Sequence, residues 1–283
     1  METLSASEIR KLAESLNLNP SKSLGQNFVV DGNTCRKIVR LAELKSDDVV
    51  LEVGPGLGSL TIALLASARN VVAVEIDNRL ATQLPKTISM HDIALAEALT
   101  VINDDALNVS RTNPVPTALV ANLPYNVSVP VILHIMEKFP SIEHGIVMVQ
   151  AEVADRLAAP PGSKVYGVPS VKLKWWADSH IASQISREVF WPVPRVDSSL
   201  LAFTRRHRSE SDDEALRIRT FAIIDSAFAQ RRKMLRSSLG TFLGSSESAS
   251  QYLSAIGIDP TSRAENLTLD QFISIARGIS PAS

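Results

Sequence analysis

Hydrophobic and polar residues alternate in blocks along the first half of the chain. Helices are predicted near the N-terminus, where Ser5 and Glu8 have the spacing of a capping box, and over residues 33–44. Short apolar runs rich in valine and isoleucine predict strands. These runs are DVVLEVG, NVVAVEID, LTVINDDAL, TALVANLPY and GIVMVQAE. Because amphipathic segments separate them, we predict a largely parallel sheet with helices on both faces.

The alternation weakens after residue 152. The segments SHIASQISREVF and VDSSLLAFTRR are strand-like and flank the turn WPVPR, which predicts a final antiparallel hairpin. The polar stretch HRSESDDEA marks a boundary, because the pattern beyond it is helical with short loops. We therefore predict an α/β domain over residues 1–206 and a small helical domain over residues 207–283.

Composition indicates a folded protein, with 283 residues, 45% hydrophobic residues and a formal net charge of −1. No apolar run approaches the ~18 residues of a membrane span, and the N-terminus lacks the apolar core of a signal peptide, so we expect a cytoplasmic protein. The single Cys35 excludes an internal disulfide, and the scattered histidines predict no metal site. A pI near 6.5 is not that of a basic nucleic-acid binder, so contacts with phosphates must come from local patches.

A glycine-rich turn follows the first strong strand. Gly54, Gly56 and Gly58 have the spacing G-x-G-x-G, whereas nicotinamide dinucleotide sites prefer G-x-G-x-x-G, which would require glycine in place of Ser59. Glycines let the backbone turn sharply and let a ligand approach it closely. The alternative is that they only make a tight connection between strand and helix.

Acidic residues end the next two strands. Glu75 is placed to accept hydrogen bonds from both ribose hydroxyls of a nucleoside, and Asp105 to face an adenine amine. With the glycine turn, they predict an adenosine-bearing ligand without a pyrophosphate, and S-adenosylmethionine fits best. Taken alone, Glu75 is equally typical of a solvated strand end, and we expect Asp104 to face solvent.

The tetrapeptide Asn122-Leu123-Pro124-Tyr125 ends another strand. The Asn122 side-chain carbonyl and the Leu123 backbone carbonyl can accept the two hydrogens of an adenine amine and aim its lone pair at a methyl sulfonium. Pro124 fixes the backbone, and Tyr125 offers a stacking face for a base taken out of its stack. The alternatives are a turn or cap residue for Asn122 and a half-buried core aromatic for Tyr125.

These motifs, in this order, resemble the ribosomal RNA small-subunit adenine dimethyltransferases, the kasugamycin-sensitivity methyltransferases. The resemblance covers about residues 23–239, through SLGQNF, LEVGPGLGSLT, VEID, DDAL, NLPYNVSVP, FWPVPRVDSS and FAQRRKMLRSSL. It implies a class I, Rossmann-like methyltransferase fold with a small helical C-terminal domain. It also implies dimethylation of the 6-amino groups of two adjacent adenosines near the 3′ end of small-subunit ribosomal RNA, during ribosome biogenesis.

The resemblance implies the site residues as well. The cofactor-binding residues are Asn27, Val29, Gly54, Gly56, Glu75, Asp105 and Asn122. The acceptor pocket is formed by Asn122, Leu123, Pro124 and Tyr125, and Phe190 is similar to the family's second aromatic at the target base, with a core phenylalanine as the alternative. Val29 replaces the family's usual leucine, and Val168 and Pro169 replace a different pair, which puts only that loop's geometry in doubt.

Basic residues cluster in three groups. QRRKMLR carries Arg231, Arg232, Lys233 and Arg236 without an acid among them, and on a helix Arg232 and Arg236 would lie one turn apart. The other groups are Arg205, Arg206 and Arg208, and Lys164, Lys172 and Lys174. Any one run taken alone is more typical of a solvated helix face. Binding through patches and shape suits a structured particle, so we expect a monomer that binds the small ribosomal subunit and its RNA.

Two other functions remain open. A large-subunit, antibiotic-resistance adenine methyltransferase shares the glycine turn and an N-x-P-Y motif, although the FxPxPxVDS and QRRK segments favour the small subunit. A ribosome-assembly factor or organellar transcription factor keeps the fold without needing catalysis. The intact tetrapeptide and Glu75 argue against lost chemistry and leave an added binding role open.

Overall fold

The structure is a computed structural model that describes residues 3–18, 27–209 and 212–279. Most of the SLGQNF motif lies outside the described residues. The chain divides into two compact units, one comprising Met1–Ala154 and Ser179–Arg205 and the other Asp155–Asp178 and Arg206–Ser283. No helix in the described part of the chain combines the length and apolarity needed to cross a membrane.

Strands and helices alternate through the first unit. The strands are β1 (Phe28–Val29), β2 (Val49–Val53), β3 (Asn70–Val74), β4 (Leu99–Ile102), β5 (Ala118–Asn122), β6 (His144–Gln150), β7 (Ala177–Ile185), β8 (Phe190–Trp191) and β9 (Ser198–Arg205). The helices up to the sheet's end are α1 (Ala6–Ser15), α2 (Gly32–Leu41), α3 (Ser59–Leu65), α4 (Asn78–His91), α5 (Ile93–Ala96), α6 (Ser128–Lys138), α7 (Ala151–Leu157) and α8 (Val168–Trp176). The later helices are α9 (Glu214–Ala229), α10 (Leu235–Ser238), α11 (Ser246–Ala255) and α12 (Leu269–Arg277).

The main sheet has the strand order β4-β3-β2-β5-β6-β9-β7. Strands β2 to β6 pair in parallel, and β9 pairs antiparallel with β6, from His144 opposite Thr204 to Gln150 opposite Ser198. The prediction of a mostly parallel sheet that ends in an antiparallel hairpin is therefore confirmed. The chain runs outward from β2 to β4 on one side and from β5 to β6 on the other, so a crevice opens where β2 and β5 end side by side.

The local sequence explains these elements. All five residues of β2 are buried, as expected for a strand whose two faces are both covered by helices. The predicted capping box of α1 is present, because Ser5 and Glu8 satisfy each other's backbone amides. Helix α2 begins at Gly32, capped by the Asp31 side chain, and is shorter than the predicted span of residues 33–44.

The predicted strand SHIASQISREVF ends early. Strand β7 stops at Ile185, and the Ser186 side chain accepts a hydrogen bond from the Glu188 amide and starts a short 3₁₀ turn. The chain is thereby redirected, and β8 leaves the main sheet to pair antiparallel with β1. The sequence does not predict this pairing, because the two strands are far apart in the chain and each has only two residues.

The second unit is helical, and its core contains a segment that the sequence pattern assigns to the first domain. Tyr166, Val171 and Trp175 are buried among apolar residues of the C-terminal helices. The Tyr166 hydroxyl donates a hydrogen bond of 2.8 Å to the carbonyl of Leu267. Residues 155–178, which the sequence pattern places in the domain 1–206, therefore belong to the second unit. Helix α8 contributes to the core on which it packs, whatever its place in the chain.

Candidate active site

A cavity opens at the carboxyl ends of the central strands. It encloses about 1150 Å³ of space when its open mouth is counted. The predicted site residues that line it are Asn27, Val29, Gly54, Gly56, Glu75, Asp105, Asn122, Leu123, Pro124 and Tyr125. The structure thus brings together residues that are distant in the chain, and of the predicted cofactor and acceptor residues only Phe190 is not among them.

The floor of this cavity is glycine backbone. Gly54, Gly56 and Gly58 have φ angles of +71°, +59° and +99°, in the left-handed region that disfavours other residues. A Cβ atom on Gly56 would lie 2.9 Å from the ring of Phe28. The G-x-G-x-G spacing therefore follows from backbone conformation and from the close approach of Phe28.

Glu75 is held in place by backbone amides. It is only 5% exposed, and its Oε1 accepts from the Asp77 amide at 2.9 Å and its Oε2 from the Gly56 amide at 3.2 Å. Burial raises the pKa of Glu75, and these two amides oppose that shift. Each carboxylate oxygen keeps a lone pair for a further donor, such as a ribose hydroxyl.

Asn122 carries an acceptor without a partner. Its Nδ2 donates to the carbonyl of Asn27 at 3.1 Å, which fixes the orientation of the amide. Its Oδ1 is buried and has no hydrogen-bond partner among the described residues. A buried, unsatisfied acceptor costs about 1–3 kcal/mol, so this atom marks the position of a ligand donor.

The rest of the tetrapeptide is held on both sides. The Leu123 amide donates to the Met148 carbonyl at 3.0 Å, which joins it to β6. Tyr125 is half-buried, and its hydroxyl forms a 2.8 Å hydrogen bond with Ser198 Oγ at the start of β9. The chain from Leu123 to Tyr125 is therefore anchored through main-chain and side-chain contacts with two other strands.

The aspartates that follow β4 both line the cavity. Asp105 is half-buried, and its Oδ1 accepts from the Leu107 amide at 2.9 Å, so it shapes the turn as well as the wall. Asp104 is exposed, in keeping with the expectation that it faces solvent, yet it also lines the cavity. The pair therefore presents acidic acceptors along one side of the site.

Phe190 is not placed with the other acceptor residues. It is 1% exposed, lies opposite Val29 in the small sheet, and packs into the main core. In this conformation it matches the core alternative and has no free face for a base. Its neighbour Trp191 is half-buried and stacks on Phe28, with 6.3 Å between the ring centroids.

Some residues at the site do not emerge from the sequence patterns. The Asn103 side chain donates to the Glu75 carbonyl at 2.8 Å and ties the ends of β3 and β4 together. Glu52 lines the cavity, is 1% exposed, and its Oε2 has no partner among the described residues. Burial, with a further contribution from the nearby charge of Glu75, raises the pKa of Glu52 to about 8. The sequence contains one signal for Glu52, because it is the only charged residue within the apolar run of β2.

These features fit S-adenosylmethionine. The bare glycine backbone allows close approach, Glu75 presents acceptors for a ribose, and the aspartates that follow β4 can accept from an adenine amine. The cavity is also rich in carboxylates, as suits a ligand that carries a sulfonium and an ammonium group.

Comparison with known proteins identifies the family. The model of the family described as "Ribosomal RNA adenine dimethylase" matches residues 17–280. The chain belongs to this family. Among its curated relatives, "Ribosomal RNA small subunit methyltransferase A" of Thermobifida fusca is 54% identical over 96% of this chain and 95% of the relative. The protein of the same name from Paenarthrobacter aurescens is 52% identical over 98% of this chain and 94% of its own length.

Solved structures support the fold. A dimethyladenosine transferase from Plasmodium falciparum superimposes with a TM-score of 0.74, at 24% identity over 87% of this chain and 94% of that one. The 23S rRNA methyltransferase ErmE gives a TM-score of 0.67, at 27% identity over 89% of this chain and 98% of its own. The prediction of a class I methyltransferase fold that uses S-adenosylmethionine is therefore confirmed, and so is the family resemblance.

Two of the predicted basic groups are engaged in internal contacts. The Arg205 guanidinium donates to the carbonyls of Met136 and Phe139, at 3.0 and 2.9 Å, where α6 ends. Arg208 lies over the Trp175 ring at 4.6 Å. In the lysine group, Lys172 and Lys174 pair with aspartates. These residues therefore stabilise their own units.

The residues of the QRRKMLR group also differ in their contacts. Arg231 donates to the Glu265 carboxylate at 2.9 Å and to the carbonyl of Lys164. Residues 230–234 form the connection between α9 and α10, so Arg232 and Arg236 do not lie on one continuous helix. The turn arises where α9 ends, and the Lys233 amide bonds to the carbonyl of Gln230.

The carboxylates of the site lead to a prediction about pH. The folded pKa of Glu52 lies above the ordinary 4.5, so between about pH 4.5 and 8 the unfolded chain is ionised while the folded chain holds the proton. This group's contribution to the free energy of unfolding should therefore fall by about 1.4 kcal/mol per pH unit in that window and level off above it. Glu52→Gln should remove this slope, as measured by urea unfolding without cofactor at about pH 5, 6.5 and 8. The exposed Glu14→Gln is the control, and an identical slope in Glu52→Gln and the wild type would contradict the burial argument.

A second prediction concerns the cofactor. Glu75→Ala should weaken S-adenosylmethionine binding by on the order of 1–3 kcal/mol, roughly tenfold to a hundredfold, because the ribose hydroxyls lose their acceptor. Calorimetry on the folded variant measures this change. Glu97→Ala, which removes an exposed acid outside the cavity, should bind normally. Unchanged affinity in Glu75→Ala would contradict the assignment of Glu75 as a cofactor-binding residue.

Proposed function

We propose that this protein dimethylates the 6-amino groups of two adjacent adenosines near the 3′ end of small-subunit ribosomal RNA. The observation that carries the proposal is the unsatisfied Asn122 Oδ1, which lies in the same cavity as Glu75 and the glycine turn. It is an acceptor placed for an amine next to a site suited to an adenosine-bearing methyl donor. Relatives named for the small subunit at 52–54% identity favour that RNA over the 23S rRNA for which ErmE, at 27% identity, is named.

The residues of this chain orient the target amine and do not act as a strong base. S-adenosylmethionine supplies the methyl group as an electrophilic sulfonium. Asn122 Oδ1 accepts one amine hydrogen and thereby turns the nitrogen lone pair out of conjugation with the ring. Since its Nδ2 is held by the Asn27 carbonyl, the acceptor is fixed before the substrate arrives. Alignment of this kind contributes much of the rate in reactions between bound groups.

Tyr125 supplies the face for the target base. Its ring lines the cavity beside Pro124, and its half-buried position leaves part of the ring accessible. A base taken out of its stack loses its neighbours, and an aromatic side chain replaces them. Phe190 is kept as the proposed second aromatic. Because its ring is enclosed in this conformation, that role requires its segment to move.

We propose that RNA affinity comes from exposed basic residues of the second unit. Arg232 and Lys233 are exposed and have no ion-pair partner among the described residues, and Arg236 is half-buried beside them. Arg231 is committed to Glu265, so its contribution is to hold the turn. The partner is the small ribosomal subunit, bound by a cytoplasmic monomer, and a role in subunit assembly is compatible with this chemistry.

The proposal predicts separate effects on chemistry and binding. Asn122→Ala should slow single-turnover methyl transfer about a hundredfold or more, because the amine loses its fixed acceptor. Tyr125→Ala should also slow transfer, because the base loses, once it is flipped, a stacking platform worth roughly 1–3 kcal/mol. Both should bind undermethylated small subunits with near wild-type affinity at fixed salt. Transfer is measured at saturating S-adenosylmethionine. Near-normal rates in both variants would show that the tetrapeptide is only a structural turn.

Charge reversal tests the RNA contact. Arg232→Glu with Lys233→Glu should weaken subunit binding and flatten its salt dependence, since fewer counterions are released, while affinity for S-adenosylmethionine stays unchanged. The matched control reverses Arg10 and Lys11, two exposed residues of α1, with the same change in net charge. Equal losses in both double variants would show an effect of net charge alone and exclude a specific patch.

A further inference from the structure

Tyr125 is anchored at its far end by a residue that the tetrapeptide does not contain. The only hydrogen bond of its hydroxyl, among the described residues, joins it to Ser198 Oγ at 2.8 Å. Ser198 is fully buried and lies 73 positions further along the chain. The ring of Tyr125 is therefore fixed by the backbone at one end and by this hydrogen bond at the other.

Ser198 is itself held rigidly. It is the first residue of β9 and lies opposite Gln150 at the end of β6. The preceding Asp197 accepts from the Ala151 amide through its carbonyl and from the Arg187 amide through its carboxylate, both at 3.0 Å. The position of Ser198 Oγ is thus set by the main sheet and by the turn that precedes β8.

This geometry explains why the position carries tyrosine. A phenylalanine would offer the same stacking face, but its ring could swing about the Cα–Cβ bond, because nothing would hold the outer end of the ring. Burial raises the pKa of Tyr125, so its hydroxyl stays protonated over the physiological range and can take part in the bond. A fixed ring position matters, since reacting groups must be aligned closely for orientation to raise the rate.

We propose that Ser198 is a positioning residue for methyl transfer, which holds the Tyr125 ring in position against the flipped adenine. This inference rests on the proposed function of Tyr125 and extends the site to β9. Ser198 touches neither cofactor nor base, and it acts through the hydroxyl of Tyr125 alone. The VDSS segment, which follows the turn WPVPR, is thereby linked to the tetrapeptide at the opposite side of the site.

The test is a double-mutant cycle on the full-length protein. Ser198→Ala and Tyr125→Phe each remove one side of the hydrogen bond and keep the shape of the other residue. Each should lower the single-turnover rate at saturating subunit and S-adenosylmethionine by about tenfold, the equivalent of 1.36 kcal/mol in the barrier. The double variant should be no slower than either single variant, because the same bond is lost once. Affinities for S-adenosylmethionine and for the subunit should stay unchanged.

A matched control separates positioning from stability. Ser199→Ala removes the hydroxyl of the next residue, which is equally buried but faces the other side of β9, and it should transfer methyl groups at the wild-type rate. Melting temperatures of all variants show which of them fold, and Tyr125→Phe keeps the test valid if Ser198→Ala does not fold. Rates within about twofold of wild type in Ser198→Ala and Tyr125→Phe, or losses that multiply in the double variant, would overturn the inference.

The cycle also distinguishes this inference from the proposed function. If Tyr125→Ala transfers normally, the stacking role fails and the positioning role fails with it. If Tyr125→Ala is slow while Tyr125→Phe and Ser198→Ala are as fast as wild type, only the positioning role is overturned.

Discussion

The parallel pairing of β2 with β5 is the constraint on which the site depends. Because the chain proceeds from β2 toward one edge and from β5 toward the other, a crevice is left at the carboxyl ends of these two strands. Strand β2 delivers the glycine turn and β5 delivers Asn122, so a cofactor surface and an acceptor surface meet by topology alone. The residues of these two strands are apolar except for Glu52 and Asn122, so the other polar groups of the site lie beyond the strand ends, at this edge.

A second layer of contacts turns this edge into a defined site. Phe28 closes against Gly56 and stacks on Trp191, and the small sheet of β1 and β8 holds both aromatics. The Asn27 carbonyl, next to Phe28, orients Asn122. The segment before α2 therefore acts on both halves of the cavity, although it contributes only two residues of regular strand.

The sequence predicts most of the first unit because its signals are local. A few neighbouring residues are enough to recognise a buried strand between amphipathic helices, a glycine turn or an acid at a strand end. The structure places glycines and acids of this kind around one cavity. The features that these local signals do not reveal depend on distant contacts. Phe190 pairs with β1 instead of extending β7, α8 packs with the C-terminal helices, and Arg231 bonds to Glu265. The roles of such residues follow from partners that periodicity does not reveal. Ser198 is a similar case, since its partner Tyr125 precedes it by 73 positions.

The buried carboxylates also bear on the charge of the ligand that the cavity favours. Glu52 and Glu75 lie in one buried site, and burial raises the pKa of both, so the cavity by itself resists holding two negative charges. A ligand with a sulfonium and an ammonium group relieves that repulsion and favours the ionised carboxylates.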